Sequence, residues 1–170
     1  MSLVFQRCLL IFVVALVQRS FFDILWPDFE VPSLVVSAIV AETFILGFST
    51  SIKWVILLIF FHSMLGSDSA DSLFPVAAVM VAYVTSFLSR RLRIERPVQS
   101  SCILAIVSAI AVLALQLFLF ITQGIQTSLS IVFGNAFLAL LLLPIMFIIF
   151  RSHDEYIRTS LMSDFRSLRT

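Results

Sequence analysis

The chain has 170 residues, of which 61% are hydrophobic and 12% charged, with a formal net charge of +1 and a mean hydropathy of +1.11. A water-facing domain carries about 25% charged residues, and a chain of this size leaves roughly a third of its unfolded surface exposed, so the apolar surplus requires lipid as its solvent. These figures exclude a cytosolic globule, a disordered chain and a nucleic-acid binder, and they make any basic attraction local.

A hydrocarbon core about 30 Å thick needs about 20 largely apolar residues in a helix. Cut at clusters of charge, Pro, Gly and Ser, the sequence yields six apolar stretches: 3–22, 31–48, 52–65, 73–89, 102–122 and 130–150. Unbroken runs such as 136–143 lack the alternation of a membrane barrel, so the expected class is all-α, a polytopic membrane helix bundle. The first stretch contains a run, 8–17, that resembles the core of a signal peptide. Gln18-Arg19-Ser20 follows with no A-x-A pattern, so the run is expected to stay attached as the first membrane helix. The third stretch is expected to be short, since fourteen residues reach only about 21 Å. Pro75 falls in the first turn of the fourth helix with Asp71 placed to cap it, and Pro144 lies inside the sixth, where it is expected to introduce a kink. Cys8 and Cys102 read as small apolar helix residues, with no CxxC spacing. Trp26 and Trp54 fall at proposed membrane boundaries.

Lys and Arg accumulate on the cytoplasmic side of membrane proteins. Six spans with both termini cytoplasmic place ten basic residues inside, among them Arg7, Lys53, Arg90, Arg91, Arg93, Arg96 and Arg151, and Arg19 alone outside. Five spans with an external N-terminus give nine against two. Both arrangements keep the 90–96 loop and the tail in the cytoplasm.

Beyond the bundle of residues 1–150, the tail 151–170 carries Ile157, Leu161, Phe165 and Leu168 at spacings of four, four and three. That places them on one helical stripe opposite Asp154, Arg158 and Ser163, an amphipathic cytoplasmic helix that lies on membrane lipid or docks on a partner.

Ionisable groups at membrane depth are costly, so each is a functional candidate. Glu42 reads either as a proton or cation site or, preferably, as a carboxylate near the inner surface that is hydrated or paired with Lys53. His62 reads as a hydrogen-bonded packing histidine in preference to a metal or acid–base partner of Asp68, since no HExxH or second histidine accompanies it. Asp68 and Asp71 invite comparison with membrane aspartyl peptidases. They lie three residues apart on one turn, where Asp and Ser serve turn and cap chemistry. Gln116 and Asn135 are placed to hydrogen-bond between the fifth and sixth helices. The eighteen phenylalanines read as lipid-facing bulk or packing. No nucleophile elbow, P-loop or Rossmann glycine pattern occurs, and the expectation is a protein without catalysis, cofactor or metal.

The order of features resembles the bacterial rod shape-determining protein MreD family. A single first helix leads to Phe22-Asp23-Ile24-Leu25-Trp26-Pro27-Asp28. His62-Ser63-Met64-Leu65-Gly66-Ser67-Asp68 is followed by Val79-Met80-Val81-Ala82-Tyr83-Val84-Thr85-Ser86-Phe87-Leu88-Ser89-Arg90-Arg91, and a sixth helix begins at Gly134-Asn135-Ala136. The likeness covers almost the whole chain. It departs where the family's Pro-x-Gly-x-His stretch is reduced to Ser72-Leu73-Phe74-Pro75-Val76. The resemblance implies a non-enzymatic inner-membrane subunit of the cell-elongation machinery. It would support peptidoglycan synthesis by assembling with an MreC-like scaffold and, through it, with an MreB-like filament and peptidoglycan synthases. It allows a homo-oligomer. The implied fold is that of the six-helix substrate-binding subunits of energy-coupling-factor vitamin transporters, which supplies the alternative function: a small-solute-binding subunit of such a transporter.

Overall fold

A computed structural model describes residues 3–25, 33–65, 74–91, 97–123 and 129–167, and every one of them except Gly47 is helical. An apolar environment offers the backbone no outside hydrogen-bond partner, and helices satisfy it internally. Helix α1 (Leu3–Val17) continues through a π-helical stretch, Gln18–Phe22, into Asp23–Leu25. It is followed by α2 (Ser33–Leu46), α3 (Phe48–Leu65), α4 (Phe74–Arg91), α5 (Pro97–Gln123) and α6 (Leu129–Ser167).

Helix α2 is the central post. Its residues are apolar on all sides, and a helix of that kind is buried all round. Val35, Val36, Ala38, Ile39, Val40 and Ala41 have no exposed surface, and α2 packs against every other helix. The surrounding helices bury one side and turn large apolar residues outwards, among them Ile56, Met80, Ile110 and Ile148. Among the described residues three helical spans are long and apolar enough to cross a membrane: Val4–Leu25, Phe48–Leu65 and Ser130–Tyr156. Leu34–Leu46, Phe74–Arg90 and Cys102–Phe118 are apolar but shorter.

The third helix is not the short one. It starts at Phe48, four residues before the expected boundary, and its 18 residues reach about 27 Å. The reason lies at Gly47, whose φ of +74° ends α2 in the left-handed region. The Gly47 N–H donates to the Thr43 carbonyl at 2.9 Å, and the Ser51 N–H donates to the Gly47 carbonyl at 3.0 Å. One residue therefore closes α2 and opens α3, and the loop expected over 49–51 is helix. Among the described residues the shortest of the six helices is α2, with 14.

The tail is equally continuous. Helix α6 runs 39 residues with Pro144 inside it and no break at residue 150, so the expected bundle and tail share one rod. Helix α5 begins at Pro97, five residues before the expected start, with proline at the first helical position, where its missing N–H costs nothing. Pro75 occupies the first turn of α4, as expected. Asp71, Asp68, Trp26, Arg93, Arg96 and Leu168 lie outside the described residues.

Candidate functional site

The start of α1, the end of α2 and the far part of α6 meet around one guanidinium. Arg7 Nε donates to Glu42 Oε1 at 2.9 Å and Nη2 donates to Oε2 at 2.6 Å, a fork-to-fork pair with both partners about 95% buried. Nη1 lies 3.7 Å from Asp154 Oδ1, whose side chain is 14% exposed. The guanidinium carbon stands 5.8 Å from the Trp54 ring centroid on α3. One cation thus contacts groups from three other helices. In a low-dielectric interior it is the geometry of this pairing, with both carboxylate oxygens engaged, that makes the burial tolerable.

This corrects the expected partner of Glu42. Lys53 is exposed and its Nζ stands over the Trp54 ring at 5.1 Å, while Glu42 turns to Arg7. In the sequence Arg7 reads only as a topology charge and Asp154 only as part of the polar face of the tail. The signal available is position: Arg7 lies near the start of α1 and Glu42 near the end of α2, which a helix-to-helix reversal brings to one side. Close by on α6, Arg151 pairs with Glu155 one turn on at 2.8 Å, an exposed contact. Both ring nitrogens of His153 are buried without a hydrogen-bond partner among the described residues.

A second polar knot closes the opposite end. The π-helical stretch shifts the register of α1 so that the buried Gln18 amide donates to Asp23 Oδ1 at 2.7 Å while its oxygen accepts the Leu34 N–H at 3.0 Å. Gln18 therefore caps α2 from a neighbouring helix, satisfying one of the backbone donors that a helix start leaves open. Arg19, expected alone on the outside, pairs with Asp23 at 3.1 Å and donates to the His62 carbonyl at 3.3 Å.

His62 is 1% exposed and its ring stands 5.5 Å from Phe74, so it packs as expected. The expected side-chain hydrogen bond is absent at Nδ1, which has no partner among the described residues. The expected pairing with Asp68 falls outside the described residues.

Gln116 and Asn135 are 2% and 0% exposed, as interior glue requires, but they do not bond to each other: neither polar atom of the Gln116 amide has a partner among the described residues. The seam is held by serines instead. Ser37 Oγ on α2 donates to the Ala139 carbonyl on α6 at 3.1 Å, and Ser108 Oγ on α5 shares its one proton between the Ala105 carbonyl of its own helix at 2.9 Å and the Ala139 carbonyl at 3.3 Å. Pro144 frees the carbonyl of Leu140, one residue on, whereas the Ala139 carbonyl keeps its own helical donor, the Leu143 N–H, beside the serines. Two outside donors to one carbonyl pin three helices at a point.

Of the basic residues expected to fix topology, Arg90 is exposed at the end of α4 and Arg151 is exposed on α6; Arg91 ends α4. Ile157, Leu161 and Phe165 lie on the continuous helix α6, and their spacing of four puts them on one face of it. The phenylalanines divide between the two expected roles, Phe147 and Phe150 being buried and Phe118 and Phe137 facing outwards. Cys8 is half-buried and Cys102 exposed, and both are free. No group of three or more His, Cys, Asp or Glu side chains among the described residues is placed to hold a metal ion.

Comparison of the chain with family models, with curated proteins and with solved structures finds no match.

Proposed function

We propose that the chain is a non-enzymatic integral membrane subunit of the bacterial cell-elongation complex, a six-span bundle of the inner membrane with both termini in the cytoplasm. It scaffolds an MreC-like partner and, indirectly, an MreB-like filament and the peptidoglycan synthases. The observation that carries this reading is the unbroken length of α6. It continues without interruption to Ser167, is held at Asp154 by the buried Arg7–Glu42 pair, and carries Ile157, Leu161 and Phe165 on one face. A bundle with a tethered amphipathic arm suits attachment more than turnover. Both Glu42 oxygens accept from Arg7, leaving that carboxylate ill placed to exchange protons with a substrate.

The test is co-purification from a native membrane with the tagged full chain. Leu161→Asp with Phe165→Asp is expected to lose the partner while leaving the bundle folded. Retained partner, together with unchanged protection of the tail from protease, would overturn the attachment role.

The alternative, a vitamin-like solute-binding subunit of an energy-coupling-factor transporter, has one observation in its favour. The Gln116 amide and His62 Nδ1 are buried and without hydrogen-bond partners among the described residues, the kind of groups a solute would engage. It predicts a small molecule that co-purifies with the chain and leaves when Gln116 becomes Leu.

A further inference from the structure

Five helices surround α2, and they fall into two blocks. In the first, α1, α3 and α4 are joined by side chains. Phe12 stands 5.3 Å from Phe61, His62 5.5 Å from Phe74 and Phe48 5.8 Å from Tyr83, and Arg19 donates to the His62 carbonyl. In the second, α5 and α6 pack along their lengths. Among the described residues α4 scarcely touches α5, and neither α1 nor α3 packs against α5 or α6 beyond isolated contacts, so two seams part the blocks. The α4–α5 seam is an apolar groove of about 460 Å³ whose lining includes Ala77, Ala111 and Ala114. Small side chains let helix backbones approach closely, which gives this seam room to narrow. The α1–α6 seam is bridged by Arg7 Nη1 and Asp154 Oδ1 at 3.7 Å. That contact releases at little cost. Arg7 keeps both Glu42 oxygens when Asp154 leaves, and Asp154, 14% exposed, can turn to water.

We propose that the bundle is a rocker: the α1–α3–α4 block and the α5–α6 block pivot on α2, and the Arg7–Asp154 contact latches the α1–α6 seam while the α4–α5 seam stands open. Both seams flank the same post, so narrowing one widens the other. The central place of α2 makes such a motion cheap. Packed helices lie about 8–10 Å apart, so a roll of about 10° about the α2 axis moves an outer helix by about 1.6 Å. Ties made at α2 itself, such as Arg7 to Glu42 and Ser37 to the Ala139 carbonyl, lie nearer the axis and move less. Asp154 stands three residues before Ile157 on the same unbroken helix, so whatever engages the arm of α6 bears directly on the latch. The inference goes beyond the scaffold role and does not depend on it.

The experiment uses the full chain reconstituted in bilayers, with Cys8→Ala and Cys102→Ala, and reads distances between paired spin labels by pulsed electron–electron resonance. Labels at the exposed Leu9 and Ile148 span the α1–α6 seam, and labels at the exposed Phe87 and Ile106 span the α4–α5 seam. Val13 with Ile56, and Ile121 with Phe133, report on the inside of each block. Asp154→Asn is expected to raise the tilted fraction about fivefold, the factor to which ~1 kcal/mol of an accessible ion pair corresponds. In that fraction the first distance lengthens and the second shortens by about 2 Å, while both distances within the blocks hold. Asp154→Glu is expected to keep the native distances. Ala114→Trp, added to Asp154→Asn, props the groove from an exposed position and is expected to bring the α1–α6 distance back. With Asp154 in place, salt at about 1 M screens the partly exposed contact and is expected to act in the same direction as Asp154→Asn. Distances unchanged both in Asp154→Asn and in high salt would overturn the latch. A wider α1–α6 seam beside an unaltered groove, a changed distance within either block, or a tilt that persists with Ala114→Trp would overturn the rocker.

Discussion

Arg7 and Glu42 lie 35 residues apart in sequence and meet through two parallel hydrogen bonds, 2.9 and 2.6 Å, in a place where neither side chain is more than 5% exposed. Removing one partner leaves the other charge buried and uncompensated, which costs about 3–5 kcal/mol, whereas replacing both by apolar residues is often neutral. Arg7→Met and Glu42→Met are each expected to lower the thermal midpoint in detergent sharply, and the double variant to recover most of the loss. Additive losses in the double variant would show that the pair is not the unit of stability.

Asp154 is the outer member of the same cluster, 3.7 Å from Arg7 and only partly screened. Asp154→Ala removes the link between the α6 extension and the bundle at an expected cost of about 1 kcal/mol, the upper range for an accessible ion pair. The informative measurement is local. Trypsin is expected to cut faster at Arg158 and Arg166 while the unfolding midpoint of the bundle hardly changes. Equal cleavage rates would mean that the arm is held by something other than this contact.

The all-helical class, the interior places of His62, Gln116 and Asn135, and the outward phenylalanines follow from hydropathy and from the cost of polarity in lipid, whereas the burial of Glu42 and the central place of α2 do not. Nor do the pairings. Lys53 stands closer in sequence to Glu42 than Arg7 does, and only the packing of α1 against α2 decides between them. The helix joint at Gly47 was hidden for a different reason. Ser49, Thr50 and Ser51 read as a loop, but an αL glycine lets the chain turn in one residue, after which serines are tolerated in the first turn of α3. The tail is helical to Ser167, as the stripe of Ile157, Leu161 and Phe165 implies, and its continuity with the preceding span is what the charge at Arg151 hides: charge alters what α6 faces and leaves it a helix.

Gly47 supplies a clean test of that joint. Its φ of +74° disfavours any L side chain, yet no atom lies within 4 Å of where a Cβ would stand. Gly47→Ala is therefore expected to cost about 1–2 kcal/mol from backbone conformation alone, and the larger Gly47→Leu about the same. A much greater loss for leucine, read from the thermal midpoints, would reveal a steric limit that this geometry lacks.

Ser37 and Ser108 share the Ala139 carbonyl, so their contributions are expected to be non-additive. Each single alanine variant should cost about 0.6 kcal/mol, the average for an interhelical hydrogen bond in lipid. Either hydroxyl alone still ties the carbonyl to a neighbouring helix, and only the double variant removes both ties. A double loss clearly above the sum of the singles supports the shared acceptor; a simple sum means that the two serines act independently.

Gln116 gives the opposite sign. Its amide is 2% exposed with neither polar atom partnered among the described residues, so the native protein bears the cost of desolvating it, about 1–3 kcal/mol. Gln116→Leu has nearly the same volume and removes that cost. The midpoint is expected to rise in protein purified and extensively washed in detergent. If Gln116→Leu lowers the midpoint instead, a bound water or solute must satisfy the amide in the native protein, and the balance between the two functional readings moves towards the solute-binding subunit. Measuring both proteins before and after prolonged dialysis separates those cases, because a solute that can be dialysed away stabilises the native chain only beforehand, whereas a trapped water does so throughout.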